Sequence, residues 1–356
     1  MTSGDALPVG DAPPRAAGRR AGIRQVAELA GVSMSTVSNV LNNPQLVASA
    51  TRGRVRDAME RVGYVRNGAA RRLRGAPSPV VGCVLLDAAN AYFATVARGI
   101  EDRLAEDGCL LVQCSTDMRG EREARYLRLL EEQGVRGVII SPVAAPLPEL
   151  VRLGQRGTPV VLLDHPCDGA ELCAVTVDDA AGGALAARHL LAAGQREVAF
   201  VRCGPPLRSL AERLAGVRAA FADAGLDPDA RVTEIAVRAT TAAGVAEEAI
   251  PRILALSPRP DAVICGNDAA ALGVYRGLRE HGVAVPDDIG VVGYDDVDFA
   301  AELSPALTTV RQPAYDVGRA AADLLLRSPG AGHRHEQVTF APALIERGST
   351  RRGARG

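Results

Sequence analysis

The chain contains no lysine and no tryptophan, only eleven other aromatic residues, and no pair of cysteines at C-x-x-C spacing. Without lysine there is no Schiff-base nucleophile and no P-loop lysine, so those chemistries are excluded. With eleven scattered rings and no tryptophan, a base-stacking platform for single strands is not expected. The seven cysteines (83, 109, 114, 167, 173, 203 and 265) are odd in number and dispersed, as reduced, mostly buried thiols are and a disulfide or zinc framework is not. No apolar window approaches the roughly 18 residues that span a bilayer. The opening MTSGDALPVGDAPPRAAGRR also lacks the apolar core of a signal peptide. These absences predict a cytoplasmic chain without membrane contact, led by a disordered Pro/Gly/Ala-rich tail over residues 1–22.

What is present divides in two. At 356 residues and 47% hydrophobic, the chain can build two or three domains with ordinary cores. Its net charge of −1 hides a split. Residues 15–76 set twelve arginines against Glu28, Asp57 and Glu60, a balance of +9, whereas residues 1–14 carry only Asp5 and Asp11, −2, and residues 77–356 stand at −8. A basic segment on an acidic body predicts a small polyanion-binding module joined to something else.

Within the basic segment, Ile23, Val26, Ala27 and Ala30 recur at helical spacing, and Gly31 follows as a left-handed helix end would. Ser33 stands where an N-cap is wanted, ahead of a second short helix with Val37, Val40 and Leu41 on its apolar face. A third run, over 51–62, aligns Val55, Ala58, Met59 and Val62. Two short helices around a glycine turn, braced by a third, make a helix-turn-helix unit. A generic three-helix bundle with a solvated polar face is the plainer alternative. In a helix-turn-helix the second helix enters the major groove. Ser33, Met34, Ser35, Thr36, Ser38 and Asn39 are therefore the candidate DNA contacts, and Asn39 can bond adenine through N6 and N7.

From residue 80 the pattern becomes strand–helix alternation. Apolar runs at 80–86, 109–114, 137–140, 159–163, 198–201, 232–237, 262–265 and 289–294 read as buried parallel strands, with helical stretches between them. Two successive doubly wound α/β lobes follow, and ligands in such sheets gather beyond the carboxyl ends of the strands. Asp87, Asn90, Phe93, Ser141, Asp164 and His165 stand at those ends in the first lobe; Arg213, Asn267 and Asp295 stand there in the second. Carboxylates, amides and one arginine around a cleft suit a neutral polyhydroxylated ligand held by paired hydrogen bonds. The same Asp and Asn residues equally suit helix capping, and Asp178, Asp179 and Asp268 read mainly as caps. With few rings to sandwich a flat base, a sugar is favoured over a nucleobase.

Catalysis finds little support. Asp164 and His165 would point to opposite faces of a strand and have no Ser or Cys elbow beside them. Asp295, Asp296 and Asp298 lack the ligand spacing of a cation loop. His333 and His335, in SPGAGHRH, read as a solvated loop. Neither cofactor nor metal is expected, and the basic head argues against an exported solute-binding protein.

Over residues 23–73, VAELAGVS-x-STVSNVLN, T-x-x-x-V-x-x-A-M-x-x-x-GY and N-x-x-A-x-x-L run without a gap. They resemble the DNA-binding head of the LacI/GalR family of bacterial transcriptional regulators. D-x-x-N-x-YF, CGND-x-x-ALG, P-x-DI-x-VVGYDD and P-x-LTTVRQP resemble its effector body, akin to periplasmic sugar-binding proteins. The resemblance implies a helix-turn-helix head (23–66) and a hinge (67–76) that becomes helical on operator DNA. There Leu73 would wedge between base steps beside Ala70, with Asn67, Arg71 and Arg74 against the minor groove and phosphates. It further implies a first lobe from 77–177 and 314–330 and a second from 178–313 and 331–350. The chain would then cross between lobes near Val177, Pro313 and Gly330. Arg213 matches the arginine that clamps effector hydroxyls, Asp295 its carboxylate partner, and Asn267, Phe93 and Asn90 the cleft walls. The expected assembly is a homodimer on pseudo-palindromic double-stranded DNA, and no C-terminal heptad run suggests a tetramer.

For Leu73→Ala, loss of preference for operator over random DNA is expected, with salt-sensitive non-specific binding retained. Competition binding at two salt concentrations checks this; an unchanged preference removes the hinge assignment.

Overall fold

The computed structural model describes residues 21–65, 78–144, 146–328 and 333–350. Most of the expected tail, the crossing near Gly330, and the hinge with Asn67, Ala70, Arg71, Leu73 and Arg74 lie outside the described residues. The chain divides into two compact units, residues 1–77 and 78–356.

In the first unit, α1 (Ile23–Ala30) ends on Gly31 at φ 62°, where the missing Cβ makes the left-handed turn inexpensive. The Ser33 hydroxyl accepts from the Thr36 amide at 3.1 Å and starts α2 (Met34–Asn42). Arg52, on α3 (Ser49–Val62), donates to the carbonyls of Pro44 and Val47 at 3.0 and 2.8 Å, fastening the α2–α3 turn. Val26, Ala27, Ala30, Val37, Val40, Val55 and Ala58 are the buried core, drawn from the positions that share a helical face.

The second unit carries two six-stranded sheets. The first comprises β1 (Val80–Leu85), β2 (Leu110–Ser115), β3 (Val138–Ile140), β4 (Val160–Leu163), β5 (Cys173–Val177) and, from far along the chain, β11 (Gln337–Phe340). Its order is β11-β5-β4-β3-β1-β2, every pair parallel. The second comprises β6 (Val198–Cys203), β7 (Val232–Val237), β8 (Ala262–Cys265), β9 (Gly290–Asp295), β10 (Thr308–Arg311) and β12 (Ala343–Ile345). Its order is β12-β10-β9-β8-β6-β7, with only β12 antiparallel. The connecting helices are α4 (Ala91–Glu106), α5 (Gly120–Glu132), α6 (Leu147–Gln155), α7 (Asp179–Ala192), α8 (Arg208–Asp223), α9 (Pro228–Arg231), α10 (Ala242–Leu254), α11 (Asp268–Glu280), α12 (Phe299–Glu302) and α13 (Ala314–Arg327). Helices on both faces explain why the central strands are near-continuous apolar runs.

The chain passes from the first sheet to the second after Val177 and returns after Arg311, where α13 packs on the first sheet. It then adds β11 beside β5, with Gln337 opposite Ala174, and only afterwards crosses through Ala341-Pro342 to β12. Residues 333–340 therefore belong with the first lobe, and the third crossing falls well beyond Gly330. The stretch QVTFAPALI reads as one strand-like run, and nothing local tells which half fills which open sheet edge.

Two helix pairs approach closely at glycines. A Cβ on Gly99 of α4 or Gly318 of α13 would overlap the carbonyl oxygen of Tyr315 or Val96. In the second lobe, a Cβ on Gly183 of α7 or Gly216 of α8 would overlap that of Arg213 or Ala180, and one on Gly182 would strike the Tyr294 hydroxyl. Asp268, expected as a cap, is instead wholly buried and accepts from Thr309 Oγ1 at 2.6 Å and the Val297 amide at 3.0 Å. It ties α11 to β10 and to the loop after β9, while Asn267 does the capping. Burial, opposed by those hydrogen bonds, pushes the Asp268 carboxyl up to about 7.

Gly183→Ala is expected to cost about 1–3 kcal/mol by forcing α7 and α8 apart. Gly154→Ala, on open helix surface, should be neutral or stabilising; comparing thermal midpoints distinguishes the two. Folded Asp268 keeps its proton to higher pH than the unfolded chain does, so its stabilisation is full below the unfolded pKa of 3.8 and is lost as pH rises toward about 7. The thermal midpoint should fall across that window, and more shallowly in Asp268→Asn.

Candidate effector cleft and DNA-facing helix

On α2 the structure leaves Ser33, Met34, Ser35 and Asn39 exposed and Thr36 and Ser38 half-buried, while Val37 and Val40 turn to the core. Met34 is 49% exposed, a large apolar side chain held on the polar face. Ser33 serves first as the cap, with its hydroxyl also 2.7 Å from Ser35 Oγ and 2.9 Å from Thr36 Oγ1. Ser38 receives the Asn42 amide at its carbonyl and hydroxyl, 2.9 and 3.2 Å away. Asn39 has no side-chain partner among the described residues.

In the body, Asp87, Asn90, Phe93, Ser141, Asp164, His165, Arg213, Asn267 and Asp295 all line one cavity of about 290 Å³ between the two sheets. Each stands at or just beyond the carboxyl end of a parallel strand, or on the first turns of the helix that follows, as the topology of such sheets dictates. Leu86, Met118, Pro142, Leu207 and Leu210 add apolar wall, and Thr240, Thr241 and Gln312 add polar groups. Across the mouth, Arg208 of α8 donates to Asp168, in the first-lobe loop after β4, at 2.5 Å.

Arg213 is the most constrained of these. It is 7% exposed, its Nε donates to Asp179 Oδ1 at 2.7 Å, and its Nη1 donates to the Gly266 carbonyl at 2.6 Å. The guanidinium lies over the Tyr294 ring, 3.6 Å from its centroid, and Tyr294 donates to the same Asp179 oxygen at 3.2 Å. Burial disfavours the charge, yet Asp179, Tyr294 and Asp295 outweigh it and hold the pKa above its ordinary value. No partner among the described residues takes Nη2. The carboxylate that fixes Arg213 is thus Asp179, and Asp179 is no cap: Asp178 accepts from the Ala181 amide and caps α7.

Asp164 and Asp295 end their strands with left-handed backbones, φ 53° and 116°, a strain that Asp tolerates better than most residues. Asp164 accepts from the Tyr92 hydroxyl at 2.9 Å, and Asp295 from Gln312 Nε2 at 2.7 Å. Burial, reinforced by the charge of Asp179, pushes Asp164 up to about 6. Burial also raises Asp295 well above the usual carboxyl range, against the pull of Arg213. Asn90 and Asn267 use Oδ1 to cap α4 and α11, at 2.9 Å to Tyr92 N and 2.8 Å to Ala270 N. Capping and cleft lining coincide in both residues, and the Nδ2 amide is left for a ligand. Asp164 and His165 both line the cleft rather than facing opposite ways; His165 Nδ1 lies 2.7 Å from the Pro166 carbonyl oxygen, and no hydrogen bond joins it to Asp164 among the described residues.

Sequence reasoning passed over Tyr92, Gln312 and Tyr294. Tyr92 sits beside Phe93 in an edge-to-face pair, centroids 5.1 Å apart, and stands in the D-x-x-N-x-YF motif, of which Phe93 and Asn90 alone were expected at the cleft walls. Gln312 follows β10, a strand too short to stand out.

Set beside known proteins, residues 22–67 match the family described as bacterial regulatory proteins, lacI family, and residues 187–350 match a periplasmic binding protein-like domain. The HTH-type transcriptional repressor PurR of Aliivibrio fischeri is 33% identical over 333 residues, covering 92% of this chain and 97% of that protein. The lac repressor dimer bound to operator and the anti-inducer ONPF superposes with a TM-score of 0.78 at 27% identity, covering 93% of this chain and 99% of that one. A CelR–cellobiose complex gives 0.67 at 30% identity, covering 93% and 100%. Members of this family bind operator DNA and small-molecule effectors as dimers and are transcriptional regulators rather than enzymes. Among the described residues, no helix is long and apolar enough to cross a membrane. With its helix-turn-helix head and two-lobed α/β body, the chain belongs to the LacI family of bacterial transcriptional repressors.

Proposed function

We propose that this repressor answers to a neutral polyhydroxylated effector, a sugar or sugar derivative, bound in the cleft between the two sheets, and that it works in the cytoplasm as a homodimer on a pseudo-palindromic operator. The observation that carries the effector class is the chemistry of the cleft lining. An immobilised Arg213, the carboxyls of Asp164 and Asp295, and the amides of Asn90 and Asn267 offer donors and acceptors on both walls. Vicinal hydroxyls both donate and accept, and bidentate contacts to such fixed groups give them orientation. Phe93 supplies an apolar face for a pyranose or furanose ring. The cellobiose complex of CelR shows that a relative of similar fold takes a sugar. In this reading the α2 face with Met34, Ser35 and Asn39 reads base edges, and residues 67–76 form the hinge. A nucleobase or nucleoside is the second reading, favoured by the Tyr92, Phe93 and His165 rings among the lining residues; against it, Tyr92 and Phe93 meet edge to face rather than offering two parallel faces.

Effector binding changes the closure of the lobes, through Arg208–Asp168 at the mouth and Asp295–Gln312 where the chain leaves β10, and so alters the geometry delivered to the hinges. The coupling is reciprocal: an effector that weakens operator binding is itself held less well on DNA.

A thermal-shift panel of sugars, polyols and nucleobases checks the effector class. A ligand at 100 times its dissociation constant stabilises by about 2.7 kcal/mol. A stabilising sugar that also changes operator affinity is the expected result; stabilisation by nucleobases alone overturns the sugar assignment. Arg213→Ala should remain folded, bind operator, and lose the effector response. An intact response takes Arg213 out of the binding machinery.

A further inference from the structure

At the amino end of β5, away from the cleft, three metal-binding side chains come together that the sequence separates by about 160 positions. Cys173 is the first residue of β5 and is buried. The segment entering β11 is anchored alongside it, the Ala174 amide donating to the Glu336 carbonyl at 3.0 Å. This brings His333 Nε2 to 3.2 Å and His335 Nδ1 to 3.8 Å from Cys173 Sγ. The two imidazoles meet edge to face with centroids 5.1 Å apart, and the three donor atoms all lie within 4.8 Å of one another. In an extended segment residues i and i+2 share a side, which is how two histidines one residue apart reach the same thiol.

A tetrahedral zinc ion, with Zn–S about 2.3 Å and Zn–N about 2.0–2.1 Å, separates its sulfur and nitrogen ligands by about 3.5 Å. The two observed separations straddle that value. One thiolate and two imidazoles are a borderline-soft donor set that favours zinc over magnesium or calcium. Beside them opens a cavity of about 300 Å³ lined by Glu171, Ser328, His333 and His335, which leaves room for a water or the Glu171 carboxylate as fourth ligand. We propose that Cys173, His333 and His335 form a binding site for a zinc-class divalent transition metal. The metal–sulfur bond replaces the thiol S–H bond, the proton passes to solvent, and no oxidation state changes. Bound metal clamps the approach to β11 onto β5, on the strand that leads directly into the third crossing between the lobes.

The test uses the full chain, stripped with a chelator and titrated first with Co²⁺ and then with Zn²⁺. One equivalent of Co²⁺ should produce thiolate-to-cobalt charge-transfer absorption in the near ultraviolet and tetrahedral bands in the visible. Zn²⁺ should erase both and raise the thermal midpoint. Cys173→Ser should abolish the charge-transfer band, and His333→Ala or His335→Ala should weaken Co²⁺ binding by at least about tenfold. Absence of that band in the native chain, or its persistence at native strength in all three variants, overturns the proposal and leaves thiol–imidazole hydrogen bonds alone. The histidine variants keep the test decisive if Cys173→Ser folds poorly.

Discussion

The cleft depends on how closely α7 and α8 approach. Gly183 and Gly216 let each helix backbone sit where a side chain would otherwise stand, and Gly182 yields space to the Tyr294 hydroxyl. That approach buries Asp179 against Arg213 and lays the guanidinium on Tyr294. An arginine in this setting has lost its rotamer freedom before any ligand arrives, so little entropy remains to be lost on binding. Burial is tolerable only because the charge is paired and hydrogen-bonded on several sides; an unpaired guanidinium there would be far more costly than any single contact in the lobe.

Around that fixed point, the parallel topology of both sheets delivers the other groups. Strands that run the same way end on the same side, and the turns into the following helices carry side chains free of the ladder. Asp164 and Asp295 take left-handed backbones at those ends, and Asn90 and Asn267 cap the helices that begin there. One residue can cap and line the cleft together because an amide has two ends: the oxygen satisfies the helix and the nitrogen stays available. The acidic excess of the body is thus partly internal, tied up by Arg213, Gln312 and Tyr92, whereas the helical head over residues 21–65 packs around a wholly apolar core.

Much of this was legible in the residues. Period-3.6 spacing around Val26, Val37 and Val55, with Gly31 and Ser33 as stop and start, already contained the head, because caps and turns are set by residues adjacent in sequence. Eight apolar runs located eight of the twelve strands among the described residues, and the polar residues after them line the cleft, because strand-end position is also local information. Two features were misread, each for want of a partner. Asp179 stands in the first turn of α7 like any cap, and only α8 reveals it as a counter-ion. Asp268 likewise looked like a cap, until β10 and the loop after β9 supplied its donors. His333 and His335 do lie half-exposed and exposed, as a solvated loop would, but only β11 shows that they stand beside Cys173.

The sequence by itself determined the two-part organisation, the alternation that makes the body doubly wound, the family motifs, and the set of strand-end groups that line the cleft. All of these rest on periodicity or on neighbours a few positions apart. Tertiary structure alone decided which carboxylate fixes Arg213, which sheet takes residues 337–340, where the chain last crosses between lobes, and which thiol meets the two histidines. Each of those depends on a pairing between distant segments. The energy of such a pairing comes from the close packing and desolvation of both partners at once, and neither segment carries it alone.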